Sequence, residues 1–441
     1  MSVVTNSRRL LTPEQIEGLA TDHATARAAD DLVRGDRWGP AGWTAGAAPN
    51  ARLLWAEFPE ARRSPTLTTV SLPGMRATCS CAASRFPCRH VIALLMRDLD
   101  SPFDFVPQPP EWAAAIRERA GDSQPLGLTI DPDRRVATVI AGMGDLRLWL
   151  ADLAREGLAG LPKRGRGAWQ GAANRLEDAY ASEVARELRE LSAIPGSGTD
   201  WPERLLPRLG RLALLCEAFS RLDDLSTGQR ADALAAAGYI PQRTGEHVAD
   251  EWWVLGRVIH IENRAIRTRI WLRGRATGRW ARIDDACAGG RLEGIVWPTS
   301  AVVAGELAFS PSAYPLLARP ASAGIIPADG PGMILEQTRV DAALRDYSAA
   351  LATNPWLRRY PLMLHEVFVE PPGVAGGRWR LRDRDGRLLA LPPQFGHGWR
   401  LLALAANRPL SLFGEWDGKV FVPASYFDGI WRAITSWRAV A

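Results

Sequence analysis

The chain of 441 residues is poor in cysteine, histidine and lysine. It has five cysteines and six histidines, and lysine occurs only at Lys163 and Lys419. A chain of this length can bury its own core, so an odd and small number of cysteines excludes a fold stapled by disulfides. The first residues, MSVVTNSRRLLTPEQ, lack the apolar segment of a signal peptide, and no apolar run is long enough to cross a membrane. We therefore expect a soluble, cytoplasmic protein.

The chain also has little excess of positive over negative charge. The 54 lysine and arginine residues stand against 49 acidic residues, which leaves a formal net charge of +5. This excess is too small to predict a dedicated nucleic-acid-binding protein by itself. Because nearly all basic residues are arginines, an arginine-rich stretch carries little weight on its own. Tryptophan, in contrast, is abundant, and its 18 residues favour amphipathic strands and helices with aromatic anchors.

The order of helix-like and strand-like stretches predicts an α+β fold in four parts. Helical spacing dominates the middle of the chain, around DLRLWLADLAREGL and LEDAYASEVARELRELS, and alternation with period two dominates after residue 250. The proline-rich stretch SPFDFVPQPPEW separates the first part from the helical middle. The predicted parts are an N-terminal domain (1–106) with a small ββα unit at about 50–100, a central α-helical domain (107–245), a β-rich module (246–330) and a C-terminal α+β module (331–441).

Local signals place several individual elements. Thr12, Pro13 and Gln15 have the pattern of a helix start with a capping box, and we expect this helix to extend towards Val33. The stretches ARLLWAEF and PTLTTVSL predict two strands, and TRVDAALRDYSAALA predicts a helix near 338–352. DRDGR and WDGK predict hairpin turns with a left-handed glycine.

Three of the five cysteines and one histidine fall within the window CSCAASRFPCRH. In an extended strand, Cys79 and Cys81 project to the same face. Cys88 and His90 begin a predicted helix, whose positive end favours thiolate. Three thiolates and one imidazole form a closed tetrahedral set, which is typical of a structural zinc site. In a reducing compartment the window therefore predicts a metal site rather than disulfides.

The spacing C-x-C-x₆-C-x-H, after a hairpin and before an apolar helix, resembles the SWIM zinc finger family. All four ligand positions of that family's motif are occupied here, by Cys79, Cys81, Cys88 and His90. The resemblance to bacterial stand-alone SWIM proteins extends to LLWAEF, to DLRLWLADLAREGL and to the stretch from VLGRV to SAYP. It implies one structural Zn²⁺ and binding to DNA or to proteins, with AAA+ ATPases and von Willebrand A-type proteins as associated partners.

Two functions from different classes fit these observations. The first is a non-enzymatic adaptor in a protein complex, with the finger as a structural interaction module. The second is a nucleic-acid-binding protein in which Arg76, Arg85 and Arg89, around the finger, contact phosphates. A solvated face that offsets the negative charge of the zinc site would contain the same arginines.

The stretch RTRIWLR offers a second basic surface. Its alternation places Arg267, Arg269, Trp271 and Arg273 on one side of a predicted strand. Such a face could stack a base and hold a phosphate backbone. An ordinary exposed strand face has the same pattern.

Signatures of an enzyme fail on inspection. GEWDGKV lacks the glycine spacing and the hydroxyl residue of a phosphate-binding loop, and His365 with Glu366 lacks the second histidine of a zinc hydrolase. Cys216 fits a packed apolar helix, and Cys287 falls in a predicted loop. A closed set of four zinc ligands also leaves no position for a reactive water. The sequence therefore predicts a protein that is not an enzyme, although a hydrolase site among the tryptophan-rich strands stays a third hypothesis.

Overall fold

The predicted α+β fold is confirmed, with a sheet near the N-terminus, a helical middle and a β-rich C-terminal half. Within the part of the chain described below, no helix combines the length and the hydropathy needed to cross a bilayer. The computed structural model describes residues 10–35, 38–46, 51–60, 63–119, 132–163, 165–239, 245–262, 265–287, 292–327, 338–373 and 377–434.

The N-terminal part combines a small sheet with short helices. Thr12 begins the first helix with the predicted capping box, because its hydroxyl accepts a hydrogen bond from the Gln15 backbone amide. The predicted extension of this helix to Val33 is wrong, since the Asp22 carboxylate accepts a hydrogen bond from the Thr25 amide and caps a separate helix. The elements are α1 (Pro13–Glu17), α2 (His23–Arg34), β1 (Ala41–Ala45), β2 (Arg52–Glu60), β3 (Arg63–Leu72), β4 (Arg76–Cys79) and α3 (Arg89–Asp100).

The helical middle follows the proline-rich boundary. The elements are α4 (Glu111–Arg119), α5 (Pro132–Glu156), a 3₁₀ turn (Leu161–Lys163), α6 (Gly167–Asp178), α7 (Ser182–Leu191), α8 (Trp201–Ser220) and α9 (Thr227–Ala237). Helices α5 to α9 bury one core of leucines and small apolar residues around Trp169. Cys216 belongs to this core and is buried, as its apolar surroundings predict.

The third part is an antiparallel sheet, called the middle sheet below, with the strands β5 (His247–Glu262), β6 (Ala265–Gly274), β7 (Trp280–Cys287), β9 (Val302–Phe309) and β10 (Ala318–Ile326). Their order in the sheet is β10-β9-β5-β6-β7. A bridge between Arg282 and Leu317 brings β7 beside the start of β10, so the two edges of the sheet approach each other. Cys287 ends β7 as a buried residue, and its thiol donates a hydrogen bond to the Glu293 carbonyl. The predicted loop at Cys287 is therefore wrong.

The short strand β8 (Leu292–Ile295) leaves this part and joins the N-terminal sheet, whose order is β1-β2-β3-β4-β8. It pairs with β4 in an antiparallel register that sets Leu292 opposite Cys79 and Ile295 opposite Arg76. Because β8 comes from the predicted β-rich module, two stretches far apart in sequence complete one sheet.

The C-terminal part begins with the predicted helix near 338–352, which is confirmed as α10 (Val340–Thr353). The remaining elements are β11 (Tyr360–Glu370), β12 (Arg380–Arg382), β13 (Leu388–Ala390), α11 (Gly398–Ala405), β14 (Leu410–Trp416), β15 (Phe421–Phe427) and β16 (Trp431–Ala433). The strand order is β13-β12-β11-β14-β15-β16. Gly386 and Gly418 adopt the left-handed backbone that the two hairpin turns predict.

Strand β5 connects two hydrophobic cores through its alternating faces. Trp252 and Val254 lie in the same buried cluster as Cys79, in the N-terminal core. Trp253 and Leu255 lie in another cluster, shared with the C-terminal sheet. The middle sheet therefore packs against the N-terminal part on one face and against the C-terminal part on the other. The predicted domain boundaries stay predictions.

Candidate metal centre

The four predicted ligands converge at the point where the N-terminal sheet passes into α3. Cys79 is the last residue of β4, Cys88 is the N-cap of α3, and His90 is the second residue of that helix. Cys81 lies in the link between them. One ligand atom from each of the four residues lies within 4.8 Å of all the others.

The histidine ring turns its Nδ1 atom towards the sulfurs. The distance from His90 Nδ1 is 3.8 Å to Cys79 Sγ and 4.0 Å to Cys88 Sγ. The other ring nitrogen, Nε2, lies 3.4 Å from Arg89 Nε. Nδ1 is therefore the nitrogen that would face a metal ion held by the sulfurs.

The site is buried and supported from the neighbouring strands. Cys79, Cys88 and His90 are each no more than 3% exposed, whereas Cys81 is partly exposed. The Thr68 hydroxyl on β3 lies 3.2 Å from Cys79 Sγ. The Phe58 ring on β2 packs against the His90 ring with the centroids 4.7 Å apart. These contacts hold the ligand side chains in place, as outer groups do in metal sites.

Sequence reasoning missed the supporting residues. Thr68 lies directly opposite Cys79 in the antiparallel pairing of β3 with β4. That register follows once a tight turn is placed at Pro73 to Met75, so the signal was present in the sequence. Phe58, in contrast, reaches His90 only through the packing of α3 on the sheet.

The three thiols differ in how readily they lose their protons. A hydrogen bond to Cys81, together with burial, raises the pKa of Cys79 to about 11. Hydrogen bonds to Cys79 and Cys81 raise the pKa of Cys88 well above its ordinary value. The pKa of Cys81 is lowered, because its sulfur accepts hydrogen bonds from Cys79 and Cys88. Mutual contact and burial therefore shift the pKa values of the three thiols in different directions.

This donor set fits Zn²⁺. Three sulfurs and one imidazole nitrogen within reach of a single point match the closed ligand set of a structural zinc site. A divalent cation would also stabilise the thiolates that burial and mutual contact otherwise keep protonated. The cluster therefore forms a zinc-binding module.

The turn before β4, at residues 73–75, accepts hydrogen bonds from residues that follow β8 and from β10. The Val296 amide donates to the Met75 carbonyl at 2.9 Å, the Trp297 indole to the Gly74 carbonyl at 3.0 Å, and the Ile325 amide to the Pro73 carbonyl at 2.9 Å. With β8 paired along β4, the strand that carries Cys79 is fixed at its start and along its edge.

The three arginines predicted to contact phosphates lie around the finger in different environments. Arg76 forms an ion pair with Glu293 of β8 at 3.2 Å, and Arg85 forms one with Asp22 at the start of α2. Arg89 is exposed beside His90. Two of the three guanidinium groups therefore already have an acidic partner.

The exposed basic face predicted for RTRIWLR is wrong. The stretch forms β6, but Trp271 is fully buried and its indole donates to Glu415 Oε1 at 2.8 Å. Arg269 pairs with the other oxygen of the same carboxylate at 2.6 Å. The alternation was predicted correctly and Arg267 is exposed, yet Arg269 and Trp271 pack against the C-terminal sheet instead of facing solvent.

Comparison with known families agrees with this site and with the helices that follow it. Residues 67–98 match the family model of the SWIM zinc finger. Residues 134–237, which contain most of α5 and all of α6 to α9, match that of the SWIM-associated four-helix bundle domain. No curated protein and no solved structure matches the chain. The chain thus carries a SWIM zinc finger, Cys79–Cys81–Cys88–His90, followed by the helical domain that is associated with such fingers.

Proposed function

We propose that the chain is a cytoplasmic, non-enzymatic adaptor whose finger is held together by one structural Zn²⁺. The observation that carries the proposal is the set of four ligand atoms within 4.8 Å of one another, three of them on buried residues. Four protein ligands leave no open position for a reactive water, so the metal would act as a cross-link. Zinc would fix the position of the end of β4 relative to the first turn of α3. The short irregular link between these two elements has no regular secondary structure that could do so.

The partner is proposed from the resemblance to stand-alone SWIM proteins. An AAA+ ATPase or a von Willebrand A-type protein is the partner class that this resemblance implies. The ion pairs of Arg76 and Arg85 support the adaptor over the nucleic-acid alternative, because both guanidinium groups are already engaged. Exposed Arg89, next to the metal ligands, is what favours the alternative.

Affinity purification of the tagged full chain separates the two functions. Zinc is measured per chain, co-purified proteins are identified by mass spectrometry, and nucleic acid is recovered from the same sample at low and at physiological salt. The adaptor predicts one zinc per chain and a partner protein that survives nuclease treatment. Nucleic-acid binding predicts recovery that falls steeply as salt rises.

A matched pair of variants sharpens this experiment. The combined Arg76→Gln, Arg85→Gln and Arg89→Gln variant should keep the partner protein if the adaptor proposal is correct. The control carries Arg155→Gln, Arg221→Gln and Arg345→Gln, which are exposed arginines in ion pairs away from the finger, on α5, at the end of α8 and on α10. Loss of nucleic acid with the first variant only, and no protein partner with either, would overturn the adaptor.

A further inference from the structure

A cavity of about 550 Å³ lies where the middle sheet meets the C-terminal part. Its walls come from the turn between β6 and β7, from the loop before β10, from one face of α10 and from the start of β11. This volume falls within the range of small-molecule sites, which often form where separate structural units meet. Neither the zinc finger nor the matched helical domain contributes to it.

One wall of the cavity contains two arginines, Arg273 and Arg279, of which Arg279 pairs with Glu246 at 2.6 Å. The Arg273 guanidinium lies over the Trp280 ring, 4.6 Å from its centroid. Trp280 in turn stacks on buried Phe413, with ring centroids 5.7 Å apart and 21° between the planes. This stacking fixes the direction of the guanidinium, which also has another interaction. Because a guanidinium has several N–H donors, Arg273 can contact a ligand carboxylate as well.

The helix α10 supplies a negative charge among small side chains. Asp346 lines the cavity together with Ala343, Ala349 and Ala350. Within the part of the chain that the structure describes, Asp346 makes no ion pair. Its carboxylate can therefore accept hydrogen bonds from a cation in the cavity.

Two tyrosine hydroxyls line the same cavity. Tyr314 Oη and Tyr360 Oη lie 3.3 Å apart, so one donates to the other. Burial raises the pKa of Tyr360, and the charges of Asp346 and Arg273 act on this group in opposite directions. Both charges thus lie near the hydroxyl pair, which stays neutral and can form hydrogen bonds with a ligand.

We propose that this cavity binds a small zwitterion, either a free α-amino acid or a short peptide. Its carboxylate would contact Arg273, its ammonium group would contact Asp346, and its polar backbone atoms would contact the tyrosine hydroxyls. The alanines, with Leu316 and Met363, would surround an apolar side chain. This binding site is separate from the adaptor role and does not depend on zinc.

Calorimetric titration of the full chain tests the proposal with four probes. L-Leucine and the dipeptide leucyl-leucine carry both charges, N-acetyl-leucine lacks the ammonium group, and leucinamide lacks the carboxylate. At least one zwitterion should bind, and loss of either charge should weaken binding by about ten- to a hundredfold. Comparison of leucine with the dipeptide identifies the length of the ligand.

Variants test which residue contacts each charge of the ligand. Arg273→Gln should weaken binding of the preferred zwitterion but not of leucinamide, and Asp346→Asn should weaken that zwitterion but not N-acetyl-leucine. Arg275→Gln is the matched control, because Arg275 lies on the same hairpin, is exposed and pairs with Glu251. If Arg273→Gln fails to fold, exposed Asp346 still provides the test. The proposal is wrong if neither zwitterion binds at millimolar concentration, or if Asp346→Asn leaves binding of both unchanged.

Discussion

Cys88 has two structural roles in one residue. It is the N-cap of α3, with the extended backbone of that position, but its side chain makes no capping hydrogen bond. The sulfur is instead directed to the ligand cluster. A serine would cap this helix better, by about 1 kcal/mol, yet it is a poor zinc ligand. The presence of cysteine here therefore indicates that metal binding outweighs helix capping.

We expect Cys88→Ser to lose zinc even though serine is a good helix cap. One of three thiolates is removed, so the closed ligand set cannot form. Zinc measured per chain after gentle purification should fall close to zero. Cys216→Ser is the control, since Cys216 is equally buried but lies in the helical core, away from the ligands.

The control should keep its zinc even if it is less stable. Full zinc content in Cys88→Ser would mean that the three remaining ligands suffice. Loss of zinc from both variants would instead point to general unfolding.

The four ligands could be predicted because they are close in sequence. Within one strand end and one helix start, geometry follows from local periodicity alone. Thr68 required the register of β3 on β4, and Phe58 required the packing of a helix on a sheet. Contacts that depend on strand register are harder to predict than those within one element, and contacts that depend on tertiary packing are harder still.

A buried carboxylate on helix α9 contacts the loop between β9 and β10 of the middle sheet. Asp232 is 6% exposed; the Ser312 hydroxyl donates to one of its oxygens at 2.5 Å, and the Ala313 amide donates to the other at 2.8 Å. Burial raises the pKa of Asp232, while these two hydrogen bonds act against that rise. The contact links the helical bundle to the loop between β9 and β10.

Removal of this carboxylate should loosen that link. We expect Asp232→Ala to lower the free energy of unfolding by about 2 kcal/mol, because the partly buried Ala313 amide and Ser312 hydroxyl are left without their acceptor. Urea denaturation followed by circular dichroism measures the change. Asp223→Ala is the control: its side chain is 94% exposed and its ion pair with Arg230 contributes about 0.5 kcal/mol or less. Equal effects of the two substitutions would contradict the assigned role.

Strands β6 and β14 meet around another buried carboxylate. Glu415 is fully buried, and it accepts hydrogen bonds from both Arg269 and Trp271. We expect Glu415→Ala to cost about 3 kcal/mol, since it leaves the partly buried Arg269 charge without its partner. Thermal and urea unfolding check this value. In Glu306→Ala, the control, an exposed pair with His247 is lost, and the cost should stay below about 1 kcal/mol.

Elements were predictable where one short signal decides them. The capping box at Thr12 and the turn glycines Gly386 and Gly418 are such signals, and the structure contains all three. The break before Asp22 was missed because the helical pattern continues across it. The face of β6 with Trp271 was predicted as open, because alternation shows which residues share a side but not which side is covered. That depends on a strand some 140 residues further along, as the pairing with Glu415 shows.

At the scale of the whole molecule, the finger and the middle sheet depend on each other. Cys79 and Cys88 belong to the same buried cluster as Val254 and Trp297. Strand β8 and the turn at Met75 add backbone hydrogen bonds between the two parts. Loss of the metal should therefore destabilise elements of the middle sheet as well as the residues near the ligands.

We expect zinc removal to loosen β4, α3, β8 and the nearby face of β5 together. Hydrogen exchange read by mass spectrometry, with and without a chelator, should show faster exchange in all four elements. The helices around Trp169 should keep their protection, because they bury a separate core. Faster exchange confined to α3 and β4 would show that the shared cluster does not couple the two parts.

The position of β8 in the chain also affects when the N-terminal sheet can be completed during synthesis of the protein. Until residues 292–295 have left the ribosome, β4 is an edge strand with unpaired backbone groups, although all four ligands have already been synthesised. The helical middle is completed during this interval. The sheet of the nascent finger therefore remains incomplete while more than a third of the chain is translated, and during this time the free edge of β4 can pair with other chains.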